Sequence, residues 1–365
     1  MYKGKVLVAM SGGVDSSVAL LKIVEMGYEP IGITMKLWEY KDVGGNLIDD
    51  SNCCSVGAIN NAKLVCDRMG FPHYTLDFTD VFRETVVDNF ADEYISGRTP
   101  NPCVRCNSYV KWDAFVEQAD ILGADYIATG HYAKAIKRDG RTLIQRGVDM
   151  SKDQSYVLWG IPKETLSRTI LPLGNLRKKE VRQIAAEHKF ENAQAPESME
   201  ICFIPDNNYK RFINEYAKDK VEKITKKGST LNEDGEKIGE NDGFINYTVG
   251  QRKGIGITNP NPLYVKEISS DKNTITVSEK KSLFSKKCKV SNINWLNNKI
   301  RLPLNAYAQI RYNGQISESK ISDNDGAILV TFEKPQLAVT PGQSIVFYDN
   351  QEALLGGGII ELHES

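Results

Sequence analysis

The feature that most constrains the fold of this chain is a glycine loop set between two apolar segments. KVLVAM (Lys5 to Met10) predicts a short strand, and SGGVDSS (Ser11 to Ser17) follows it directly. The next segment, VALLKIVEMGY, carries apolar side chains at Val18, Leu21 and Val24, which is the spacing of a helix. Strand, loop and helix in this order are typical of an open α/β sheet, which binds ligands at the carboxyl ends of its strands.

The composition of the loop predicts that it binds phosphate. Glycines let backbone N–H groups approach a polyphosphate, and the helix N-terminus adds the positive end of its dipole. Ser11, Ser16 and Ser17 offer hydroxyl donors, and Asp15 is a candidate for holding Mg²⁺ or orienting the loop. The loop lacks the lysine of GxxxxGK[ST], so it is not a Walker loop. A plain tight turn is the alternative, which the serines, the aspartate and the strand–loop–helix context disfavour.

The first half of the chain continues to alternate between strand and helix patterns. EPIGITMKLW (Glu29 to Trp38) predicts a second strand, VKWDAFVEQADILG (Val110 to Gly123) a helix, and ADYIATGHYAK another buried strand. Strands separated by helices of this length predict a parallel sheet covered by helices. The predicted fold class of this half is therefore α/β.

The sequence pattern changes near residue 205, where short runs of alternating apolar and polar residues become the main feature. LNEDGEKIG carries a hairpin signal at Asp234 and Gly235, and NTITVSE, YAQIRYNG, AILVTFEK and SIVFYD predict short strands between turns. Such runs predict small β modules and a barrel. We therefore predict an α/β catalytic domain over residues 1–205, a small central domain over 206–285, and a C-terminal β-barrel domain over 286–365.

Composition limits the remaining possibilities. A chain of 365 residues exceeds one ordinary core, and its net charge of −1 means that a nucleic acid must be held by local basic patches. The N-terminus lacks the features of a signal peptide, and no apolar run approaches the ~20 residues that span a bilayer, so we expect a cytoplasmic protein. In that reducing compartment, clustered thiols favour metal binding or catalysis over disulfides. The sequence has seven cysteines: Cys53, Cys54, Cys66, Cys103, Cys106, Cys202 and Cys288.

Ordered motifs across the chain resemble known enzymes. SGGVDSS resembles the PP-loop of ATP pyrophosphatases, which adenylate a substrate carbonyl and release pyrophosphate. AMSGGVDSSVAL, GITMKLW, GRTPNPCVRCN, ADYIATGHYAK, KDQSYVLW, ICFIPD, YTVGQRKGIGI and AVTPGQSIVFY together resemble the tRNA-specific 2-thiouridylases. This resemblance implies an adenine nucleotide alpha-hydrolase-like first domain. It also implies ATP-dependent 2-thiolation of the wobble uridine of tRNA, with release of AMP and pyrophosphate. ATP, Mg²⁺, tRNA, and a cysteine desulfurase or sulfur-relay protein are the implied cofactors and partners.

The resemblance also implies the site residues. It assigns the ATP site to Ala9, Met10, Ser11, Gly12, Gly13, Val14, Asp15, Ser16, Met35 and Gly130. It places the target base beside Asn101, Pro102 and Cys103. It assigns tRNA contacts to His131, Lys152, Asp153, Gln154, Arg311, Tyr312 and Gln343. Finally, it makes Cys106 the nucleophile and Cys202 the carrier of a persulfide.

The two thiols are chemically suited to these roles. The uracil 2-carbonyl is a poor electrophile, so adenylation must first convert its oxygen into a leaving group, after which a sulfur nucleophile attacks carbon 2. A thiolate needs a lowered pKa, and we predict Cys106 at the start of a helix, beside Arg105, where both features favour the thiolate. Cys202 is predicted in a proline-flanked loop that moves between accepting and delivering sulfur.

Cys103 departs from the family pattern, which has Asp at this position. The change creates a CxxC with Cys106, and Cys202 adds a third thiol, so a 4Fe–4S cluster holding the sulfide is an alternative to the persulfide. A structural zinc ranks lower because it needs a fourth ligand. In a third interpretation, Cys106 and Cys202 form a disulfide as the product leaves and Cys103 takes no part. The persulfide and cluster mechanisms remain open at this point.

Other residues and functions are alternatives to these. Lysine and arginine runs are candidates for RNA phosphate contacts, although a solvated surface explains them equally well: Lys226, Lys227, Arg252, Lys253, Lys286, Lys287 and Lys289. The vicinal Cys53 and Cys54 read as core or loop thiols, and Cys66 and Cys288 as packing residues. The rival functions are another PP-loop synthetase, acting on a small metabolite, and a non-catalytic tRNA- or nucleotide-binding module. The paired thiols and the intact loop argue against both.

Overall fold

The computed structural model describes residues 1–38, 55–195, 201–224, 227–297, 299–324 and 326–361. Cys53, Cys54 and Lys226 lie outside these ranges. The α-helices are α1 (Val14–Glu25), α2 (Val56–Met69), α3 (Thr79–Phe82), α4 (Asp88–Ile95), α5 (Pro102–Arg105), α6 (Phe115–Ile121), α7 (Lys178–Glu187), α8 (Tyr209–Tyr216) and α9 (Lys218–Ile224). Wider π-helical segments cover Arg83–Val87 and Cys106–Ala114.

Helices separate most of the strands in the first half of the chain, whereas the strands of the second half follow one another closely. In the first half they are β1 (Lys5–Ala9), β2 (Glu29–Lys36), β3 (His73–Asp77), β4 (Tyr126–Ala128), β5 (Ala133–Arg138), β6 (Arg141–Arg146) and β7 (Thr169–Ile170). In the second half they are β8 (Gly228–Leu231), β9 (Lys237–Asn241), β10 (Leu263–Ser269), β11 (Thr274–Glu279), β12 (Phe284–Trp295), β13 (Leu304–Gln309), β14 (Ser317–Asn324), β15 (Ala327–Leu337), β16 (Ser344–Tyr348) and β17 (Leu354–Glu361).

The contacts group the chain into two compact units. Unit 1 comprises residues 1–86, 103–207 and 351–355, and unit 2 comprises residues 87–102, 208–350 and 356–365. The segment 87–102, which carries α4, belongs to unit 2, although the residues before and after it in the sequence belong to unit 1.

Unit 1 is built on the predicted parallel sheet. Its strand order is β3-β2-β1-β4-β7, and each neighbouring pair runs parallel. Leu7 in the central strand pairs with Ile31 on one side and Ile127 on the other. α1, α2 and α7 contribute Val18, Val65 and other apolar residues to the same core as β1, so helix packing against the sheet stabilises the unit. The α/β prediction for this half is confirmed.

Unit 2 contains the predicted β modules. A small sheet has the order β10-β11-β8-β9, and β8 and β9 form the antiparallel hairpin that the Asp-Gly signal predicted, with Gly235 at φ +83°. A closed barrel follows, in the order β12-β15-β14-β13-β16-β17. Val330, Phe332 and Phe347 are fully buried in its strands. A small central β domain and a C-terminal barrel are therefore both present. No helix of the described residues has the length and apolarity needed to cross a membrane.

Candidate active site

The glycine loop lies where an open sheet binds ligands. β1 ends at Ala9, α1 begins at Val14, and the loop joins them at the carboxyl end of the sheet. β1 is flanked by β2 on one side and by β4 on the other, so the strand order reverses at β1. Because helix connections diverge at such a point, a crevice opens outside the carboxyl ends of the two strands. The ligand site at this loop stays a prediction from the sequence.

The serines of the loop hold its shape. Ser16 Oγ donates to the carbonyl oxygen of Gly13 at 2.9 Å, and Ser17 Oγ donates to the same oxygen at 3.1 Å. The backbone N–H of Ser11 donates to Ser16 Oγ at 3.2 Å. Ser17 is fully buried, so its hydroxyl braces the turn from inside; the predicted role of Ser17 as a ligand donor does not fit this position.

The two glycines of the loop have different structural roles. Gly12 has φ +73°, and a Cβ there would lie 2.2 Å from the carbonyl oxygen of Ala58, so the fold itself requires glycine. Gly13 has an extended backbone at φ −86°. A Cβ on Gly13 would meet Ser11 Oγ at 3.5 Å and, among the described residues, otherwise open space. That open space at a helix N-terminus is the cradle that a phosphate group needs, so these residues fit ATP.

Two other predicted ATP residues lie at neighbouring strand ends. Gly130 follows β4, and a Cβ there would lie 3.0 Å from the backbone carbon of Asp15 and 3.1 Å from the nitrogen of Ser16. Glycine therefore allows the segment after β4 to touch the start of α1. Met35 is the second-last residue of β2 and is buried. The predicted ATP residues thus belong to three adjacent strand ends of unit 1.

Sequence reasoning missed three side chains that contact the loop. Lys178, the first residue of α7, places Nζ 2.7 Å from both carboxylate oxygens of Asp15. The hydroxyl of Tyr132 donates to Asp15 Oδ1 at 2.6 Å. Asn192 Nδ2, 4% exposed, donates to the carbonyl oxygen of Gly12 at 2.7 Å. Lys178 lies 163 residues from Asp15, and no local pattern marks it as a neighbour of the loop.

The helix that carries the CxxC begins earlier than predicted. α5 starts at Pro102, the residue type favoured at a first helical position, and Cys103 therefore lies in the first turn. Cys106 lies one turn further in, where a π-helical segment begins, and is 7% exposed. The prediction that Cys106 stands at the helix start was wrong, because the Asn-Pro before it already starts the helix. π-helical segments are rare and recur at functional sites.

Arg105 contacts a backbone carbonyl and an aromatic ring. Its Nε donates to the carbonyl oxygen of Thr85, and its guanidinium lies 4.8 Å from the ring centroid of Tyr109. Its charge is therefore held by these partners, and the predicted role of Arg105 in favouring the Cys106 thiolate has no support from this geometry.

The environment of Cys103 raises the pKa of its thiol. The main cause is burial in the surrounding protein, and the nearby charge of Lys111 acts in the opposite direction. The residue is nevertheless exposed to solvent at its surface. Cys103 is thus reachable but mainly protonated at neutral pH.

His131 is held neutral in the same part of unit 1. It is buried, its Nδ1 lies 2.7 Å from Thr129 Oγ1, and its ring lies 5.6 Å from that of Trp112. Burial lowers the pKa of His131 well below its ordinary value, and the charge of Lys111 lowers it further. A neutral imidazole in this position offers a hydrogen bond to a ligand but no positive charge to a phosphate.

Cys202 lies in a turn that packed neighbours anchor. It is half-buried, while the adjacent Phe203 is 1% exposed and contacts the ring of Phe82 edge-on at 5.7 Å. The preceding residues 196–200 lie outside the described ranges. The cysteines of the described residues are reduced. Within those residues, no group of three His, Cys, Asp or Glu side chains is arranged to hold a metal ion. The iron–sulfur alternative on Cys103, Cys106 and Cys202 stays a prediction.

The predicted tRNA residues of unit 1 have internal partners. Asp153 is buried and accepts hydrogen bonds from Arg146 Nε at 3.0 Å, from the backbone of Gly147 at 2.9 Å and from Ser155 Oγ at 2.9 Å. Gln154 Oε1 accepts from the backbone of Tyr132 at 2.9 Å. The side chains of Asp153 and Gln154 therefore fix a turn beside Tyr132. The neighbouring Lys152 is half-buried.

Two of the predicted tRNA residues of unit 2 line a cavity. Arg311 Nη2 donates to the carbonyl oxygens of Leu337 and Ala338 at 2.8 Å each. Gln343 Nε2 donates to the carbonyl oxygens of Thr99 and Pro100 at 3.1 and 3.0 Å. Arg311 and Gln343 both line an open cavity of about 300 Å³. Tyr312 is 39% exposed. Asn101 and Pro102 are counted with unit 2, whereas Cys103 is counted with unit 1.

The chain also matches known proteins along its length. A family model described as "tRNA methyl transferase HUP domain" matches residues 4–206, "tRNA methyl transferase PRC-barrel domain" matches residues 210–279, and "Aminomethyltransferase beta-barrel domain" matches residues 285–360. A tRNA-specific 2-thiouridylase of Salinibacter ruber is 44% identical over 99% of this chain and 95% of its own length. The chain belongs to the tRNA-specific 2-thiouridylase family. Relatives with that name in Amoebophilus asiaticus and Carboxydothermus hydrogenoformans are 44% and 43% identical, each over 98% of this chain.

Membership of the family confirms the resemblance drawn from the ordered motifs. It also confirms the prediction of an enzyme over a non-catalytic binding module. The descriptions of two domain models mention methyl transfer, but the relatives that align with the whole chain carry the 2-thiouridylase name. Whole-chain identity is the stronger criterion here because it includes every unit of the fold.

Proposed function

We propose that this protein catalyses ATP-dependent 2-thiolation of the wobble uridine of tRNA. The observation that carries the proposal is that the open phosphate cradle at Gly13 and the thiols of Cys106 and Cys202 belong to the same compact unit. Adenylation of a carbonyl needs the first feature, and sulfur transfer needs the second. Identity of 44% along the whole chain to a protein named for this activity supports the same function.

The glycine loop supplies the nucleotide chemistry. Backbone N–H groups at the start of α1 supply hydrogen-bond donors. They need no rearrangement when ATP binds because Ser16, Ser17 and Asn192 already fix the turn. Preorganised donors of this kind stabilise charge that develops on a leaving pyrophosphate. Attack of the uracil 2-oxygen on the α-phosphorus then releases pyrophosphate and leaves AMP attached to that oxygen. Mg²⁺, when bound with ATP, would be held by Asp15 and the phosphates.

The thiols complete the reaction. In the proposed sequence the terminal sulfur of a Cys202 persulfide attacks carbon 2 and displaces AMP, so that carbon 2 and Cys202 are joined through two sulfurs. The Cys106 thiolate then attacks the Sγ of Cys202, and the electron pair of the broken S–S bond leaves on the sulfur of 2-thiouridine. The products are 2-thiouridine, AMP and a Cys106–Cys202 disulfide. An external thiol reduces the disulfide, and a cysteine desulfurase or sulfur-relay protein reloads Cys202.

The tRNA contacts remain proposals as well. Asn101, Pro102 and Cys103 are proposed beside the target base. His131, Lys152, Asp153 and Gln154 are proposed to contact the tRNA. Because Asp153 and Gln154 are used inside the protein, their proposed contribution is to shape the turn beside Tyr132, and contact with RNA falls to backbone groups and Lys152. In unit 2, Arg311, Tyr312 and Gln343 are the proposed contacts.

Single-turnover thiolation tests the proposal directly. Transcribed tRNA, ATP and a persulfide donor are mixed with excess enzyme, and 2-thiouridine and pyrophosphate are quantified together. We expect Cys106→Ser to form the adenylate and release pyrophosphate without completing thiolation. Cys288→Ser, at a buried barrel position, is the matched control and should keep full activity. Full activity of Cys106→Ser would require the relay to be abandoned.

Two further measurements separate the alternatives. S-adenosylmethionine in place of ATP distinguishes methyl transfer, which releases no pyrophosphate and needs no thiol. Iron and sulfide analysis of anaerobically purified wild type and Cys103→Ala distinguishes the cluster mechanism. Stoichiometric iron that disappears in Cys103→Ala would replace the persulfide relay, whereas active protein without iron supports it.

A further inference from the structure

The glycine loop has no cation of its own. SGGVDSS contains an acidic residue, Asp15, but neither lysine nor arginine. A triphosphate brings several negative charges to this loop, and backbone N–H groups alone give only partial positive charge. Phosphate sites ordinarily add Lys or Arg for this reason. A basic side chain from elsewhere in unit 1 would supply, beside Mg²⁺, the full positive charge that the loop residues lack.

Lys178 is placed to be that side chain. Its Nζ lies 2.7 Å from both Oδ1 and Oδ2 of Asp15, and its side chain is 14% exposed. Its Nζ also lies 5.6 Å from the ring centroid of Tyr132, whose hydroxyl donates to Asp15. An ammonium group has three donors, so one donor remains after Asp15 has accepted two. The carboxylate that it contacts belongs to the loop itself.

The backbone of Lys178 is fixed independently of Asp15. Its N–H donates to Asp149 Oδ2 at 3.0 Å, and the next turn of α7 buries Val181 in the core shared with α1. Hydrogen bonds from Ser151, and then from this N–H, lower the pKa of Asp149, so it stays ionised at neutral pH. The α7 start is therefore held in place, while the flexible four-carbon stem leaves the ammonium able to move a short distance.

We infer that Lys178 binds the polyphosphate of ATP, taking the place of the lysine that a Walker loop would carry. In the structure described here Asp15 keeps the ammonium at the loop; when phosphate fills the cradle over Gly13, the ammonium donates to a phosphate oxygen as well. The alternative is that Lys178 only neutralises Asp15 and never contacts the ligand. This inference rests on the proposed use of ATP.

Affinities for a series of nucleotides separate the two roles. Calorimetric titration with ATP, AMP and adenosine is carried out on wild type, Lys178→Met and Lys178→Arg. Lys179→Met, one residue along and exposed, is the matched control for loss of one positive charge. Loss of a charge-assisted hydrogen bond weakens binding roughly tenfold to hundredfold. We expect that loss for ATP in Lys178→Met, with adenosine within about twofold of wild type, partial recovery in Lys178→Arg, and no change in Lys179→Met.

The outcomes are distinct. Unchanged ATP affinity in Lys178→Met overturns the inference, because Lys178 then makes no contact with the phosphates. An equal loss of affinity for ATP and for adenosine also overturns it, because the substitution has then distorted the whole site. Failure of wild type to bind ATP overturns the proposed function instead. Should Lys178→Met fail to fold, Lys178→Gln serves in its place, since it keeps a polar head without charge. Adenosine binding is the check that each variant retains its nucleoside site.

Discussion

The adjacent glycines of the loop predict opposite effects of the same substitution. In Gly12→Ala the new Cβ lies 2.2 Å from the carbonyl oxygen of Ala58, and the residue must also keep φ +73°. A left-handed conformation costs an alanine about 1–2 kcal/mol, and overpacking costs about 1–3 kcal/mol. We expect Gly12→Ala to lower the free energy of unfolding of unit 1 by about 2–5 kcal/mol.

Gly13→Ala leaves the fold unstrained. Its φ of −86° suits alanine, and the new Cβ meets Ser11 Oγ at an ordinary 3.5 Å. A compatible Gly→Ala change usually raises stability by about 0.4–1 kcal/mol through the unfolded state. The methyl group instead fills the phosphate cradle. Displacing the ligand from two charge-assisted hydrogen bonds costs at least about 3 kcal/mol, so ATP affinity should fall more than roughly hundredfold.

Urea unfolding and ATP titration measure the two effects separately. Tryptophan fluorescence follows unit 1 well, since Trp112 is fully buried in it. The reasoning would be refuted by a Gly13→Ala variant that binds ATP as wild type does, because the cradle would then not hold the phosphates. It would equally be refuted if Gly13→Ala lost as much stability as Gly12→Ala.

Three other predictions concern buried or half-buried polar groups. Asn192→Ala leaves the carbonyl oxygen of Gly12 unsatisfied and should destabilise unit 1 by about 2–4 kcal/mol in urea unfolding. Burial holds the pKa of His131 well below 6.5 in the folded state, so below about pH 6.5 the unfolded state binds a proton that the folded state does not. The free energy of unfolding should therefore decrease as the pH falls below about 6.5, by up to about 1.4 kcal/mol per pH unit, and His131→Gln should remove that slope. Burial opposes ionisation of Glu361, but hydrogen bonds from Arg98 and Ser291 outweigh burial and lower its pKa. The ionised Glu361 therefore stabilises the fold above the unfolded pKa of about 4.5, and this stabilisation is lost as the pH falls below that value. In an acid titration, Glu361→Gln should show a smaller decrease in the free energy of unfolding.

Periodicity and turn chemistry predicted most of the architecture. The strand Lys5–Ala9, the helix Val14–Glu25 and the hairpin at Gly235 follow patterns of a few residues, so they could be read directly. The helix that carries Cys106 begins one turn earlier than predicted, at Pro102, because Asn-Pro is itself a helix start signal. The difference matters, since it places Cys103 rather than Cys106 in the first turn.

The sequence by itself determined the phosphate loop, the candidate thiols and the succession of an α/β domain and β modules, because each depends on residues close together in the chain. Only the tertiary structure showed that Asn192 braces Gly12, 180 residues away, and that Lys178 reaches Asp15. It also showed that Ser17 is buried inside the loop. Such contacts arise when packing of helices on a shared sheet brings distant residues together, and no local pattern records which side chains will then meet.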